Sequence, residues 1–126
     1  MERQAERRLK WLALVSGAYD LALALPMLVV APRLAQLFGA PPPLPLINAQ
    51  LNGVFTLTLA LGYFWASRDV AARSGYLWLA GVLAKGLGAA LFVVDHMTRG
   101  SPAAFLLFAA TDGTLAVLTL VLLLRS

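Results

Sequence analysis

The sequence contains no cysteine, one histidine and few charged residues. Without cysteine, the chain has no disulfide framework, no thiol nucleophile and no Cys-ligated zinc or iron–sulfur site. Only 13% of its 126 residues are charged, whereas soluble domains have about 25%. Hydrophobic residues make up 60%, so polar side chains are too few to cover the surface of a soluble globule. The composition therefore argues against a soluble enzyme and predicts a membrane protein.

Four long apolar segments account for most of the chain. A membrane-spanning helix needs about 20 mostly apolar residues. The segments of this kind cover residues 11–31, 46–66, 75–94 and 103–124, and joints rich in proline, glycine or charge separate them. We therefore predict an all-α fold, with one transmembrane domain over residues 1–126 built as an up-down bundle of four transmembrane helices.

The connection between the first two segments, residues 32–45, is long for a loop between adjacent helices. Within it, Leu34, Leu37 and Phe38 fall on one helical face. Gly39 and the prolines that follow it would end such a helix. The spacing predicts a short helix at the membrane interface, and the alternative is a linker that lies on the membrane surface.

The basic residues are distributed unevenly between the two sides of the predicted bundle. If the N-terminus is cytoplasmic, seven basic residues lie on that side and two on the other: Arg3, Arg7, Arg8, Lys10, Arg68, Arg73 and Arg125 against Arg33 and Arg99. Short loops rich in Lys and Arg stay in the cytoplasm. We therefore expect an integral protein of the bacterial inner membrane with both termini cytoplasmic, or matrix or stromal in an organelle. Because no soluble face carries a basic cluster, we expect no nucleic-acid partner.

Three ionisable residues lie near the centres of predicted helices: Asp20 in the first, Lys85 in the third and Asp112 in the fourth. A charge at a helix centre costs about 2.5–3.5 kcal/mol on the insertion scale. Because the helices alternate in direction, their midpoints share one depth, and we expect the three side chains to turn inward and pair. Asn48 and Asn52 lie four residues apart on the second helix and extend this polar face. The cluster is either a structural ion network or a site for a ligand or proton, and both interpretations stay open.

Aromatic residues flank the predicted cluster. Trp78 and Phe92 lie one heptad before and after Lys85, and Phe105 and Phe108 fall on the face of the fourth-helix aspartate. We predict that these four aromatic side chains line a pocket. A second aromatic group lies near the predicted inner helix ends and is typical of an interfacial belt: Trp11, Tyr63, Trp65, Tyr76 and Trp78.

The remaining motifs assign no catalytic residue and no metal site. His96 follows Asp95 at the end of the third segment, but the chain has no second histidine to complete a metal site. The glycines between Gly81 and Gly88 do not follow a strand, so they predict no nucleotide-binding loop. A Ser/His/Asp constellation is excluded because His96 lies at a different depth from the central aspartates.

Several short features follow one another along nearly the whole chain. They are Gly17-Ala18-Tyr19-Asp20, Leu37-Phe38-Gly39, Asn52-Gly53, Arg68-Asp69, Gly81 to Lys85-Gly86, and Asp112. In this order the chain resembles small bacterial four-helix membrane proteins of the DoxX-like family. The resemblance implies a four-helix membrane bundle. Because that family includes subunits linked to quinol oxidation, it also implies a quinone-like or lipid ligand, and it transfers no catalytic residue.

These observations lead to one main functional hypothesis and two alternatives. The main hypothesis is a non-enzymatic membrane protein that binds an apolar ligand, a lipid or quinone-like molecule, or that serves as an accessory subunit of a larger membrane complex. In it, Lys85 meets an anionic or carbonyl oxygen of the ligand and Asn52 donates to that oxygen. The first alternative is proton or ion transfer through the cluster of a homo-oligomer. The second is an intramembrane isomerase or hydrolase that uses an aspartate as acid or base.

Overall fold

The computed structural model describes residues 2–126, which are all-helical with no strand. The helices of this range, numbered in chain order, are α1 (Arg3–Val29), α2 (Ala31–Leu37), α3 (Leu46–Ser67), α4 (Ser74–Arg99) and α5 (Ala103–Arg125). The prediction of an all-α chain is confirmed.

Three of the long helices, α1, α4 and α5, are each long and apolar enough to cross a membrane. The fourth, α3, has 22 residues but is not among them. Asn48, Gln50 and Asn52 lie in its first two turns and lower its hydropathy. Of the four predicted membrane-spanning segments, three are therefore supported by length and composition.

The first helix differs from the predicted segment 11–31 at both ends. It begins at Arg3 because Ala5 and Leu9, which lie among charged residues, are buried against the other helices. It ends at Val29 because Pro32 has no N–H to donate to the carbonyl four residues earlier. The buried residues Ala5 and Leu9 thus extend the helix through a charged segment that the sequence predicts only as the flank of a membrane-spanning helix.

The short helix predicted in the first connection is present as α2. Gly39 has a φ of 70°, in the left-handed region, and the helix ends just before it. The N–H of Ala40 donates back to a carbonyl of the last helical turn at 2.9 Å, as in a Schellman motif. Leu34 and Phe38 face the bundle interior, whereas Leu37 is 78% exposed. Leu34, Leu37 and Phe38 therefore do not share one contact surface.

The apolar core lies at the end of the bundle that carries both chain termini, called the terminal end below. Its members come from the beginnings of α1 and α4, the ends of α3 and α5, and the α3–α4 connection: Leu9, Ala13, Tyr63, Ala66, Val70, Leu77, Ala80 and Leu123. This grouping shows that the four long helices alternate in direction. The opposite end, called the loop end, holds α2 and the connection between α4 and α5.

The bundle is closed on three sides. α1 packs against α3 and against α5, and α5 packs against α4. On the fourth side, α3 and α4 pack together mainly along the first part of α4. There the hydroxyl of Tyr76 donates to the carbonyl of Leu59 at 2.5 Å, and the Tyr76 ring covers Gly62. Towards the loop end, the side between α3 and α4 is open.

A π-helical segment, Leu77–Ala84, directly precedes Lys85 in α4. Each π-helical hydrogen bond spans five residues instead of four, so more residues fit into one turn. Two residues seven positions apart therefore no longer lie on the same face of the helix, as they nearly do in an α-helix. Ala80 faces the core, whereas Trp78 is 41% exposed and lies outside the bundle interior.

Candidate functional site

Lys85 connects the charged residues at the centre of the bundle. Its Nζ donates to Oδ1 of Asp20 at 3.0 Å and to Oδ1 of Asp112 at 3.4 Å. The exposed fractions of the side chains are 7% for Lys85, 8% for Asp20 and 18% for Asp112. The three charges predicted to turn inward are thus paired across α1, α4 and α5, and both aspartates contact the lysine.

Small residues let α4 and α5 approach closely at the level of this ion network. A Cβ on Gly81 would lie 2.9 Å from Cγ2 of Thr119, and a Cβ on Gly113 would lie 3.6 Å from the Cβ of Ala89. Such close approach is typical of helix pairs that meet through small side chains. It brings Lys85 of α4 within reach of the carboxylate on α5.

Two tyrosine rings enclose the ammonium group. Nζ of Lys85 lies 5.3 Å from the ring centre of Tyr19 and 5.4 Å from that of Tyr63. Both distances lie within the range of about 6 Å for cation–π interactions. The hydroxyl of Tyr19 also forms a hydrogen bond of 2.6 Å with Oγ1 of Thr111, which ties α1 to α5 beside Asp112. The lysine charge is therefore surrounded by two carboxylates and two aromatic faces.

A cavity of about 540 Å³ lies beside the ion network. Its wall includes Asp20, Lys85 and Asp112, together with Asn52 and Tyr63 of α3. Most of the remaining wall is apolar and comes from all five helices. The volume lies within the range of pockets that hold small molecules, about 300–1,000 Å³. The cavity thus has a mostly apolar wall with one polar region, which is the ion network.

Four phenylalanines form the wall of the cavity at the loop end: Phe38, Phe92, Phe105 and Phe108. The ring centres of Phe38 and Phe108 are 4.7 Å apart, and those of Phe92 and Phe108 are 5.4 Å apart. Tilted pairs at such distances stabilise each other by about 0.5–1.5 kcal/mol beyond burial alone. The three phenylalanines that the sequence predicts at the pocket therefore line the cavity, and Phe38 of the first connection joins them.

Two residues that the sequence predicts at the site lie outside the cavity. Asn48 is exposed in the first turn of α3 and does not contribute to the wall. Trp78 does not contribute either, because the π-helical segment turns it away from the face of Lys85. Asn52, one turn after Asn48, does line the cavity, and its carbonyl accepts a hydrogen bond of 2.8 Å from Thr56. The polar stripe of α3 thus reaches the site only from Asn52 onwards.

Tyr19, Tyr63 and Phe38 belong to the site, although the sequence does not predict them there. The sequence predicts Tyr63 as part of an aromatic belt at the membrane interface, yet only 1% of this residue is exposed. The spacing could have predicted that Tyr63 belongs to the site, because Tyr63 follows Asn52 by about three helical turns and therefore lies on the same face of the helix. Tyr19 gives no such signal, since neighbouring residues of a helix do not face the same way. Phe38 reaches the cavity only through the path of the connection.

Two residues that line the cavity each carry a polar atom that is buried without a hydrogen-bond partner, namely Oδ2 of Asp20 and the hydroxyl of Tyr63. Buried polar groups in proteins normally have a partner, so an exception calls for an explanation. Both groups belong to side chains that contact Lys85.

The described part of the chain, residues 2–126, holds no group of three or more His, Asp or Glu side chains that could bind a metal ion. Nδ1 of His96 lies 2.7 Å from the carbonyl oxygen of Ser101, within the turn that follows α4. The chemistry of the site is therefore that of a lysine held by two aspartates, two tyrosines and an aromatic wall. No protein-family model, curated protein or solved structure matches this chain.

Proposed function

We propose that this chain is an integral membrane protein whose four long helices cross the bilayer and whose cavity binds an amphiphile, a lipid or a quinone-like molecule. The observation that carries the proposal is the cavity, in which charged residues adjoin an aromatic wall. The polar head of the ligand would lie beside Asp20 and Asp112, and its apolar part against Phe92 and Phe108. We also propose that the chain is related to the DoxX-like proteins, because that resemblance implies a four-helix membrane bundle with a ligand of this kind.

In this proposal, α3 is the fourth membrane-spanning helix. It packs along α1 and exposes large apolar side chains, among them Leu51, Val54 and Leu61. Soluble monomers rarely expose contiguous apolar surface of this kind, whereas lipid-facing helices require it. The polar side chain of Asn52, which lowers the hydropathy of α3, lies in the cavity wall.

We place the terminal end in the cytoplasm of a bacterial cell. Seven basic residues belong to this end and two to the loop end, which supports the orientation. At the terminal end, the guanidinium of Arg73 lies 4.5 Å from the ring centre of Trp65 and donates to its carbonyl at 2.6 Å. An exposed tryptophan with an arginine is typical of the membrane interface. This orientation puts α2 at the outer interface.

The open side between α3 and α4 provides a route from the membrane into the cavity. Phe55 and Leu59 of α3 and Ala84 of α4 line the cavity and are also exposed. An amphiphile dissolved in the bilayer enters between these helices without first passing through water. The supply of ligand from the lipid phase therefore needs no opening at either end of the bundle.

Native mass spectrometry of the protein extracted in a mild detergent tests the proposal. The wild-type protein is expected to carry an amphiphile in a one-to-one complex. Lys85→Met should lose it, whereas Lys10→Met, at an exposed lysine of α1, should keep it. Because Lys85→Met leaves two buried carboxylates unpaired, Phe108→Ala is measured beside it with exposed Leu107→Ala as its control.

The outcomes separate the hypotheses. Retention of the amphiphile by folded Lys85→Met and folded Phe108→Ala would contradict binding in the cavity. Extraction of the wild-type protein with larger membrane subunits, and without an amphiphile, would instead indicate an accessory subunit.

Proton transfer is the second candidate function, and one observation favours it. Lys85 bridges two carboxylates, so a proton delivered to one can be passed on within a single network. In proteoliposomes, this function requires a pH-dependent flux that Asp112→Asn abolishes. The apolar core of the terminal end favours the binding function, because Leu9, Ala13 and Leu77 lie between the network and that end.

A further inference from the structure

We infer that the head group of the bound amphiphile carries a net positive charge, as in a long-chain amine or a quaternary ammonium compound. This inference rests on the proposed binding function and deepens it by naming the class of ligand. It starts from the charge balance of the ion network, in which one ammonium group serves two carboxylates. With all three groups ionised, one lysine and two aspartates have a formal charge of −1.

The uncompensated negative charge lies mainly on Asp112. Nζ of Lys85 is 3.0 Å from Oδ1 of Asp20 but 3.4 Å from Oδ1 of Asp112, so Asp20 is the closer partner. The Asp112 side chain is also the more exposed of the two, 18% against 8%, and it lines the cavity. A ligand in the cavity therefore has access to the carboxylate that the lysine compensates less.

Lys85 does not offer a free positive charge to an anionic head group. Its ammonium group donates to both aspartates, and two tyrosine rings lie beside it. A carboxylate or phosphate head would add a like charge in a region of low dielectric constant, where repulsion is strong. A neutral head would leave the charge of Asp112 without a partner, which is costly away from water. The structure thus differs from the sequence hypothesis, in which Lys85 meets an anionic or carbonyl oxygen.

The lysine is nevertheless required for a cationic ligand to bind. A buried carboxylate without a counter-charge takes up a proton instead of staying ionised. Lys85→Met therefore removes the negative charge that attracts the head group. This agrees with the loss of the amphiphile that the proposed function expects for this variant.

Aromatic rings adjoin the accessible carboxylate. Phe108 precedes Asp112 by one turn of α5, so both lie on the same face of the helix and both line the cavity. The rings of Phe38 and Phe92 lie 4.7 Å and 5.4 Å from that of Phe108. An aromatic ring attracts a cation within about 6 Å, and quaternary ammonium groups are recognised in this way. A cationic head beside Asp112 thus has a carboxylate and an aromatic wall as neighbours.

The direction of α5 sets the direction of the ligand. This helix runs from the loop end to the terminal end, so Asp112 lies about one turn deeper in the bundle than Phe108. The phenylalanine wall and the open side between α3 and α4 lie towards the loop end. The cationic head therefore binds deepest, and the alkyl part extends past the phenylalanines towards the lipid.

A series of probes with one dodecyl chain and different head-group charges tests the inference. They are dodecyltrimethylammonium, dodecyldimethylphosphine oxide, dodecylphosphocholine and dodecyl sulfate, used below the concentrations at which they form micelles. Equilibrium dialysis against protein in phosphatidylcholine nanodiscs measures binding, and empty nanodiscs give the partition of each probe into the bilayer. We expect the cation to bind about tenfold more tightly than the neutral phosphine oxide, and the sulfate to bind most weakly.

Dodecylphosphocholine distinguishes the two sources of a quaternary ammonium group. It has the same trimethylammonium group as the cationic probe, but its phosphate makes it neutral overall, as in a phospholipid. Because the network lacks one positive charge, dodecylphosphocholine should bind about as weakly as the phosphine oxide. Binding as tight as that of dodecyltrimethylammonium would indicate a lipid headgroup and would overturn the requirement for a net charge.

Two variants test the residues that carry the inference. Asp112→Asn keeps the shape of the side chain and removes its charge, so the preference for the cation over the phosphine oxide should disappear. Asp95→Asn is the matched control, because Asp95 pairs with Arg99 outside the cavity wall, and it should keep the preference. Phe108→Leu removes an aromatic ring but keeps an apolar side chain, and it should weaken binding of the cation alone by about threefold. Each preference is a ratio of two affinities in one protein and does not depend on its stability.

The outcomes separate this inference from the proposed function. Equal binding of the cation and the phosphine oxide, tighter binding of dodecyl sulfate, or an unchanged preference in folded Asp112→Asn would overturn the cationic head. Amphiphile binding would stand in each of these cases. If no probe binds while the extracted protein carries an amphiphile, the inference fails and the proposed function stands. If no probe binds and no amphiphile is co-purified, the proposed function fails as well.

Discussion

The ammonium group of Lys85 lies 5.4 Å from the centre of the Tyr63 ring, although α3 and α4 pack together mainly at the terminal end. The same ammonium group donates to carboxylates on α1 and α5. All four long helices are therefore linked at one lysine in the middle of the bundle. The stability of the protein and the chemistry of its cavity depend on the same few contacts.

The two aspartates should contribute unequally to stability. Asp20 is the closer partner of Lys85 and the more buried one, so Asp20→Asn should lower the free energy of unfolding by about 1–3 kcal/mol. Asp112→Asn should have a smaller effect, because its hydrogen bond is longer and its side chain more exposed. Thermal unfolding in detergent, followed by circular dichroism, measures both. A larger loss for Asp112→Asn would contradict this ranking.

The contact between Gly62 and Tyr76 should be sensitive to a single methyl group. A Cβ at Gly62 would overlap the Tyr76 ring, so Gly62→Ala should reduce stability by about 1–3 kcal/mol. Gly75→Ala is the control, because nothing lies near a Cβ at that position. Denaturant titration in micelles compares the two variants. Equal stability of both would show that α3 and α4 are not held together at this point.

The end of α2 should depend on the backbone conformation of Gly39. An alanine in the left-handed region costs about 1–2 kcal/mol, so Gly39→Ala should weaken α2 and displace Phe38 from the cavity wall. Gly88→Ala should not destabilise the protein, because Gly88 lies in α4 with open space around it. Hydrogen exchange of residues 31–37, measured by mass spectrometry, reports the change. Unaltered protection of α2 in Gly39→Ala would refute this role.

The ring of Phe38 should matter for ligand retention, whereas its neighbour should not. Phe38→Ala removes two aromatic contacts of the wall, with Phe105 and Phe108, and should increase the dissociation rate of the amphiphile by about tenfold or less. Leu37→Ala changes a side chain that points away from the cavity and should leave the rate unchanged. Exchange of the bound amphiphile against a deuterated analogue gives both rates. Equal rates in the two variants would mean that the Phe38 ring does not hold the amphiphile in the cavity.

The sequence was informative where a single physical cost dominates. Insertion of Asp20, Lys85 and Asp112 into apolar helices is expensive, and this cost alone predicts their pairing. The position of Gly39 before a proline run predicts the end of α2 for the same kind of reason, since glycine adopts the left-handed region freely. Such effects act on one or a few residues and do not depend on the rest of the fold.

The sequence was misleading where helical periodicity had to be assumed. α-Helical spacing predicts that Trp78 lies beside Lys85, but the π-helical segment between them turns it outward. The burial of Tyr63 depends on the crossing of α3 and α4, because Tyr76 packs against its ring at 5.3 Å between ring centres. Neither contact follows from one helix considered alone.

From composition and hydropathy alone it follows that this chain is helical, that it is rich in apolar segments long enough for a membrane, and that it has three central charges that need partners. The packing of the helices shows which side chains surround those charges, that a cavity lies beside them, and that α3 and α4 separate towards the loop end. The reason is that burial cost is a property of each segment. The shape of a cavity depends on how helices cross, and small residues, one π-helical segment and the path of a connection set that crossing.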